Sequence, residues 1–557
     1  MTMEDVGRIE AQMMSLMQEG EYSSVAHLGS IFCSLVPSSR NPLPQSYDMH
    51  EMYAEALVHK QEYKRALRYF SSCLSLKFPK TAKSGTMTST EAELRFKMAK
   101  CMFHIDDIQA AVKTLDLVHA EVCTLGMNML LGKLHTIQGL TRKAEAAYVA
   151  ALEQNPYALE ATIALAELAG RNEECSPTNM EDCQIVNLYT QLGNTQKIHP
   201  MDASWMQQLV NGHVHLHAHD LQNALNGFEA MDDIVSRSLH THLYKGKIYL
   251  ELECLEVAMS CFVQARQCDV SNVELMDIFA LLLQQAGLTV QLNSLVRDLF
   301  AITEVRPEPW LAAACYSDLK GDRATALQLC DRAISIDPSF SRSYLMRGRI
   351  HLALGRPEHA VAAFSNASKL EKSIEAYEGM VEGLRAICQK GLDKYMDAMN
   401  VARLAMMFMP HSPRAFLLLG SVFSLKPESR DQARKAFEKA LEMQRQSLRA
   451  HFGLVDLLIL ESNYDEAIYR LERLSQLYAR DVVFVKLGDV YTLNRNYGNA
   501  LPQYHRALAI NPNCTKAARG VDRVEMYLRG EDPEVTNMRH LDMEDDSTDT
   551  IYSYDQP

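Results

Sequence analysis

Residues 212–220 read GHVHLHAHD, so His213, His215, His217 and His219 recur at every second position. On a β-strand, side chains two apart share a face, and four imidazoles in that register would form a metal-binding comb. On a helix the same spacing scatters them. At about 100° per residue, His213 and His217 share one side while His215 and His219 point roughly opposite. His213 and His217 then make an i,i+4 pair, but the glutamate of the H-E-x-x-H zinc helix is missing and no third ligand lies nearby. The chemistry depends on which element holds the segment.

The other reactive residues are sparser still. Thirteen cysteines are scattered and never spaced as CxxC. With no secretory leader at the N-terminus, this reads as a reducing compartment, nucleus and cytoplasm. Cys254, Cys261 and Cys268 recur every seven residues and read as small buried residues on one helix face. No glycine-rich phosphate loop, GxSxG elbow or Cys–His signature occurs, so neither an enzyme nor a cofactor is expected. Ser176, before Pro177 in a polar loop, and Ser547, followed by Thr548 after MEDD, are candidate phosphosites. Ser412 before Pro413 reads better as a helix N-cap with proline at the first position. No apolar run reaches 18 residues, so no membrane span is expected. The net charge of −14 includes −8 from residues 531–557 alone, which leaves −6 for the rest. That balance lacks the basic stripe a nucleic-acid binder needs.

The elements that position these residues follow from a repeat. From Val482, Leu487-Gly488 is followed by Tyr491, Ala500, Tyr504, Ala507 and Pro512. This is the tetratricopeptide pattern, two helices A and B per unit of 34 residues. Sliding along the chain, the small residue early in helix B falls at Ala66, Ala111, Ala144, Ala224, Ala258, Leu292, Ala326, Ala360, Ala398, Ala433, Ala467 and Ala500. Four successive steps, from 224 to 360, are 34 residues each. The predicted fold is all-α, a tetratricopeptide-repeat superhelical α-solenoid. GHVHLHAHD then lies in helix, with Gly212 at the small position of helix A and His215 in the slot that Tyr249 and Tyr491 hold elsewhere. The comb disappears, and no metal is expected.

The expected division is 1–170, N-terminal helices and repeats; 171–203, an irregular segment with a polar loop; 204–513, the regular array; 514–529, a capping helix; and 530–557, an acidic disordered tail. Residues 79–90 read as a further polar loop. A solenoid works through its surfaces. Helix A lines the concave face, where Arg342, Arg349, Leu417, Phe452, Ile459, Val482, Val485 and Leu493 are the expected partner contacts. The N-terminus lacks a polar cap. Met13, Leu16, Met17, Leu28, Ile31, Phe32 and Leu35 offer apolar surface that a two-fold partner would cover, so a homodimer through residues 1–170 is expected.

The chain resembles the tetratricopeptide subunits of the anaphase-promoting complex, and among them most of all the subunit 7 family. The likeness is clearest at HKQEYKRALRYFSSCLSLK (59–77), RFKMAKCMFHIDDIQAAVKTLD (95–116), EPWLAAACYSDLKGDRATALQLCDRAISID (308–337), AYEGMVEGL (376–384) and the acidic end. Residues 388–395, CQKGLDKY, look like a small insertion relative to that family. The resemblance implies a non-catalytic scaffold subunit of a ubiquitin ligase that drives mitotic progression. It also implies a homodimer joined through N-terminal repeats and stacked on sister tetratricopeptide subunits. The rival reading is a free-standing adaptor for motors, trafficking cargo or chaperones. The chaperone clamp needs Lys-x3-Asn on a helix A, and that spacing occurs nowhere in the sequence.

Overall fold

The computed structural model of the protein describes residues 3–33, 47–77, 88–171, 184–194, 198–252, 254–389, 394–512 and 514–529. Among the described residues there is no strand. The chain forms two compact units, Met1–His217 and Ala218–Pro557.

The first unit holds α1 (Met3–Gln18), α2 (Tyr22–Phe32), α3 (Tyr47–His59), α4 (Tyr63–Lys77), α5 (Ser89–His104) and α6 (Ile108–Asp116). It continues with α7 (Leu125–Ile137), α8 (Thr141–Gln154), α9 (Leu159–Arg171), α10 (Gln184–Asn194) and α11 (Pro200–His217). The second unit opens with α12 (Leu221–Ile234), α13 (Leu239–Glu251), α14 (Leu255–Cys268), α15 (Met276–Gln285), α16 (Thr289–Ile302) and α17 (Pro307–Leu319). There follow α18 (Arg323–Ile336), α19 (Ser341–Ala353), α20 (Pro357–Leu370), α21 (Ile374–Gln389), α22 (Tyr395–Phe408) and α23 (Pro413–Phe423). The last are α24 (Arg430–Met443), α25 (Leu448–Leu460), α26 (Tyr464–Leu477), α27 (Asp481–Leu493), α28 (Tyr497–Ile510) and the capping helix α29 (Thr515–Leu528). The stretch 171–203 contains α10 and the first residues of α11. Residues 172–183, 195–197 and 530–557, with most of the loop 79–90, lie outside the described residues.

The sequence ruler lands on one structural position. Each of its twelve residues sits early in a helix B and is wholly buried, Leu292 included. Four residues before it stands the N-cap. Asp107, Asp220, Asp322 and Asn463 each accept a hydrogen bond from the backbone N–H three residues on. Five residues before it the chain turns from A to B through a left-handed residue. That place is taken by Gly139, Gly287, Gly321 and Gly355, but also by Gln61, Asp106, His219, Ser462 and Arg495, with φ between 56° and 67° for these five. A side chain there costs about 1–2 kcal/mol, so the turn is imposed by helix packing rather than by local preference.

Four residues after the ruler position, several repeats place a large buried ring: Phe70, Tyr148, Phe228, Phe262, Phe364, Phe437 and Tyr504. Helix A meets the ring with a glycine. A Cβ on Gly132, Gly246, Gly348, Gly420 or Gly488 would stand 2.5–2.8 Å from the ring of its own repeat. The next helix A does the same, with Gly379, Gly453 and Gly520 at 2.5–2.6 Å from Phe364, Phe437 and Tyr504. In the second unit Phe364, Phe437 and Tyr504 are thus each held between glycines of two successive repeats.

Candidate interaction surfaces

The histidines resolve first. Residues 213, 215 and 217 lie on α11, while His219 is past its end, in the left-handed turn. His219 therefore does not point from the opposite side of a helix, as the sequence suggested; the A–B turn claims it. His213 is buried, and its ring stacks on His217 with centroids 6.3 Å apart. Among the described residues no group of three or more His, Cys, Asp or Glu is placed to hold a metal. The slot three residues after the helix-A glycine takes His135, His215 and His351 in three repeats. Burial pushes the imidazoles of His135 and His351 below the usual histidine range. The cysteine heptad is not one buried face: Cys254 caps α14 and Cys268 ends it exposed, so only Cys261 is core.

The A-helix face of the second unit carries a ladder of ion pairs. Arg342 on α19 reaches past α17 to Asp277 on α15, with Nη1 2.8 and 3.1 Å from the two carboxylate oxygens. Arg349 on α19 binds Glu375 on α21 at 2.8 Å. Glu378 on α21 takes Arg414 on α23 through two bonds of 3.0 and 2.5 Å, and Arg449 on α25 lies 3.7 Å away. Lys486 on α27 pairs with Asp456 on α25 at 2.6 Å. Two of these links join A helices that are not neighbours, so side chains converge across this face and it is concave there. Burial opposes the charged form of Glu375, yet Arg349, Arg414 and Arg342 hold its carboxyl below the ordinary range. Burial, helped by the nearby Glu378 charge, pushes Glu382 up. The first unit repeats the device with Lys97 on α5, which binds Glu51 at 2.6 Å and also Glu55, both on α3.

This corrects the expected groove contacts. Arg342 and Arg349 do line the face, but each is engaged by a carboxylate of its own chain, which makes them struts between repeats. Leu417 and Val485 are buried in the core between helices and offer nothing to a partner. Phe452, Ile459 and Val482 are partly exposed, and Leu493 is 53% exposed. Sequence reasoning missed Asp277, Glu375 and Glu378.

At the N-terminus Met13 is fully buried in its own unit's core and cannot be a dimer contact. Leu16, Met17, Leu28 and Phe32 pack against that core and are partly covered by it. Ile31 stands 68% exposed and Met14 54%. Leu35, Ser176 and Ser547 lie outside the described residues. Ser412 does occupy the N-cap of α23 before Pro413, but it is buried and its side chain makes no capping bond.

Repeated A–B pairs with this ring-and-glycine core define a tetratricopeptide-repeat protein. Models described as tetratricopeptide repeat match residues 341–378 and 428–481. The crystal structure of the APC/C hetero-tetramer Cut9-Hcn1 shares the fold, with a TM-score of 0.53 and 17% identity over 94% of this chain and 96% of that one. Anaphase-promoting complex subunit 7 of Arabidopsis thaliana is 30% identical over 550 residues, 94% of this chain and 95% of its own length. The subunit 7 of Homo sapiens is 24% identical over 527 residues, 91% and 90% of the two chains. The chain belongs to the anaphase-promoting complex subunit 7 family.

Proposed function

We propose that the protein is a non-catalytic scaffold subunit of the anaphase-promoting complex, a multi-subunit ubiquitin ligase, and acts by binding sister tetratricopeptide subunits. The observation that carries this reading is the similarity along nearly the full length of both chains to subunit 7 of A. thaliana. A catalytic role would need a nucleophile or general base in a convergent site. The charged face of the second unit is instead occupied by carboxylate–guanidinium pairs that tie repeats together. Location in nucleus and cytoplasm fits the same reading.

A homodimer through the first unit goes with it. Ile31 and Met14 are large apolar side chains left outside the core of α1–α5, and a two-fold partner is the simplest cover. Co-expression with the sister tetratricopeptide subunits of the same organism tests the scaffold reading. Co-elution in fixed ratio is expected, and separate elution would refute it. Light scattering on the full chain tests the dimer: twice the chain mass, falling to one mass with Ile31→Glu, against a monomer throughout.

A further inference from the structure

The repeat supplies its own standard for judging an exposed apolar side chain. Ten residues after the ruler position every helix B of the second unit carries an apolar residue, from Ile234 and Cys268 to Leu477 and Ile510. Several of these are 38–70% exposed, Leu370, Phe408 and Met443 among them. That slot belongs to the repeat and says nothing of a partner.

Three outward slots behave otherwise. At positions −2, +6 and +9 from the ruler, α20 carries Glu358, Asn366 and Lys369, and α24 carries Asp431, Lys439 and Glu442. In α22 the same slots hold Met396, Leu404 and Met407, exposed by 61%, 42% and 58%. Of the other helices B in that unit, only α16 puts a large apolar side chain in any of these slots, Val290. The three lie within about 80° of the helix circumference, so they form one stripe along its outer side. The inner side of α22 is already used, with Ala398, Met399, Ala402 and Ala405 buried.

Cations lie along the outer side of α22 and at both of its ends. Arg403 shares the outer side, and Lys372 lies 4.3 Å above the ring of Phe408 at the end of the helix. Lys426 lies 4.1 Å from the ring of Tyr395 at its start. The one carboxylate on α22, Asp397, is paired with Lys394 at 3.1 Å. A second copy of the chain fits poorly, since a two-fold axis on the stripe would set Arg403 near its own counterpart. We propose that the outer face of α22 docks an amphipathic helix of a different polypeptide, apolar along one stripe and flanked by aspartate or glutamate. The proposal rests on the scaffold reading only for the source of that helix, a sister subunit.

The test uses the full chain and two fluorescein-labelled synthetic helical peptides with the same leucine stripe, one flanked by glutamates and one by lysines. Anisotropy is expected to show binding of the glutamate peptide, weakened about tenfold or more by Leu404→Asp with Met407→Asp. Arg403→Glu with Lys372→Glu is expected to weaken the glutamate peptide and admit the lysine peptide. All four side chains are exposed, and unchanged melting of the variants keeps folding out of the comparison. Equal binding of both peptides, binding of neither, or a glutamate peptide indifferent to either variant overturns the proposal. So does a dimer mass that Leu404→Asp abolishes, which would make a second copy the occupant. The peptides can fail while sister subunits still co-elute, so the two readings fall separately.

Discussion

The pair α27–α28 and the pair α15–α16 fill the same place in the array with different residues. In the first, Gly488 and Ala500 make room for Tyr504, which Gly520 of the next helix closes from the other side. In the second, the matching places hold Ala280, Leu292 and Val296, with no ring and no glycine. Leu292 is as fully buried as any ruler alanine. Between the two repeats the small–large order inverts: a large residue at the ruler position goes with a smaller one where the ring stands. α15 also differs in length, with 10 residues where α13, α17 and α19 have 13, and its N-cap Leu275 is left-handed at φ 60°.

The largest effect should come from emptying the ring site. Tyr504→Ala is expected to cost about 3–5 kcal/mol, including the bond of its hydroxyl to Asp489, against about 1 kcal/mol for Val296→Ala. Urea midpoints measured by helix circular dichroism would check both, and equal costs would show that the two repeats share one packing logic after all.

Next comes the space opposite the ring. Gly488→Ala places a Cβ 2.8 Å from Tyr504, whose retreat Gly520 blocks, and should cost about 1–3 kcal/mol. Gly498 has nothing within 4 Å, so Gly498→Ala on the same repeat should be neutral or stabilising by about 0.5 kcal/mol. The turn gives a smaller effect of opposite sign. Arg495→Gly relieves a left-handed side chain and should stabilise by about 0.5–1 kcal/mol, whereas Gly321→Ala should lose about 1 kcal/mol.

Acid should act more gently. Burial holds His240 at about 4 and pushes His135, His351 and His451 below 6.5. Between the unfolded value near 6.5 and these folded values the unfolded chain binds more protons, so stability falls as pH drops through that window. The melting temperature is expected to decline from pH 7 towards pH 5, and His240→Phe, beside Phe228 and Tyr244, should flatten the decline.

Much of the fold is legible in the sequence. The alanine ruler predicts helix B and the helical setting of His213, His215 and His217, because small residues at a period of 34 report close helix approach directly. His219 was misplaced because a left-handed turn leaves no reliable mark when the residue is not glycine. The pairing of Arg342 with Asp277 was hidden because the partners sit 65 residues apart and two helices A away. Met13, Leu417 and Val485 read as surface in the sequence because apolar residues on the core side and the outer side of a short helix look alike until neighbouring helices are in place.

The central claim is that this chain is a working part of an assembled ligase. Affinity purification of the full chain, tagged and expressed at its natural level, with quantitative mass spectrometry tests it most directly. The account predicts sister tetratricopeptide, cullin and RING subunits in fixed ratio to the tagged chain. Motors, trafficking factors or chaperones in their place, with no ligase subunit retained, would contradict it.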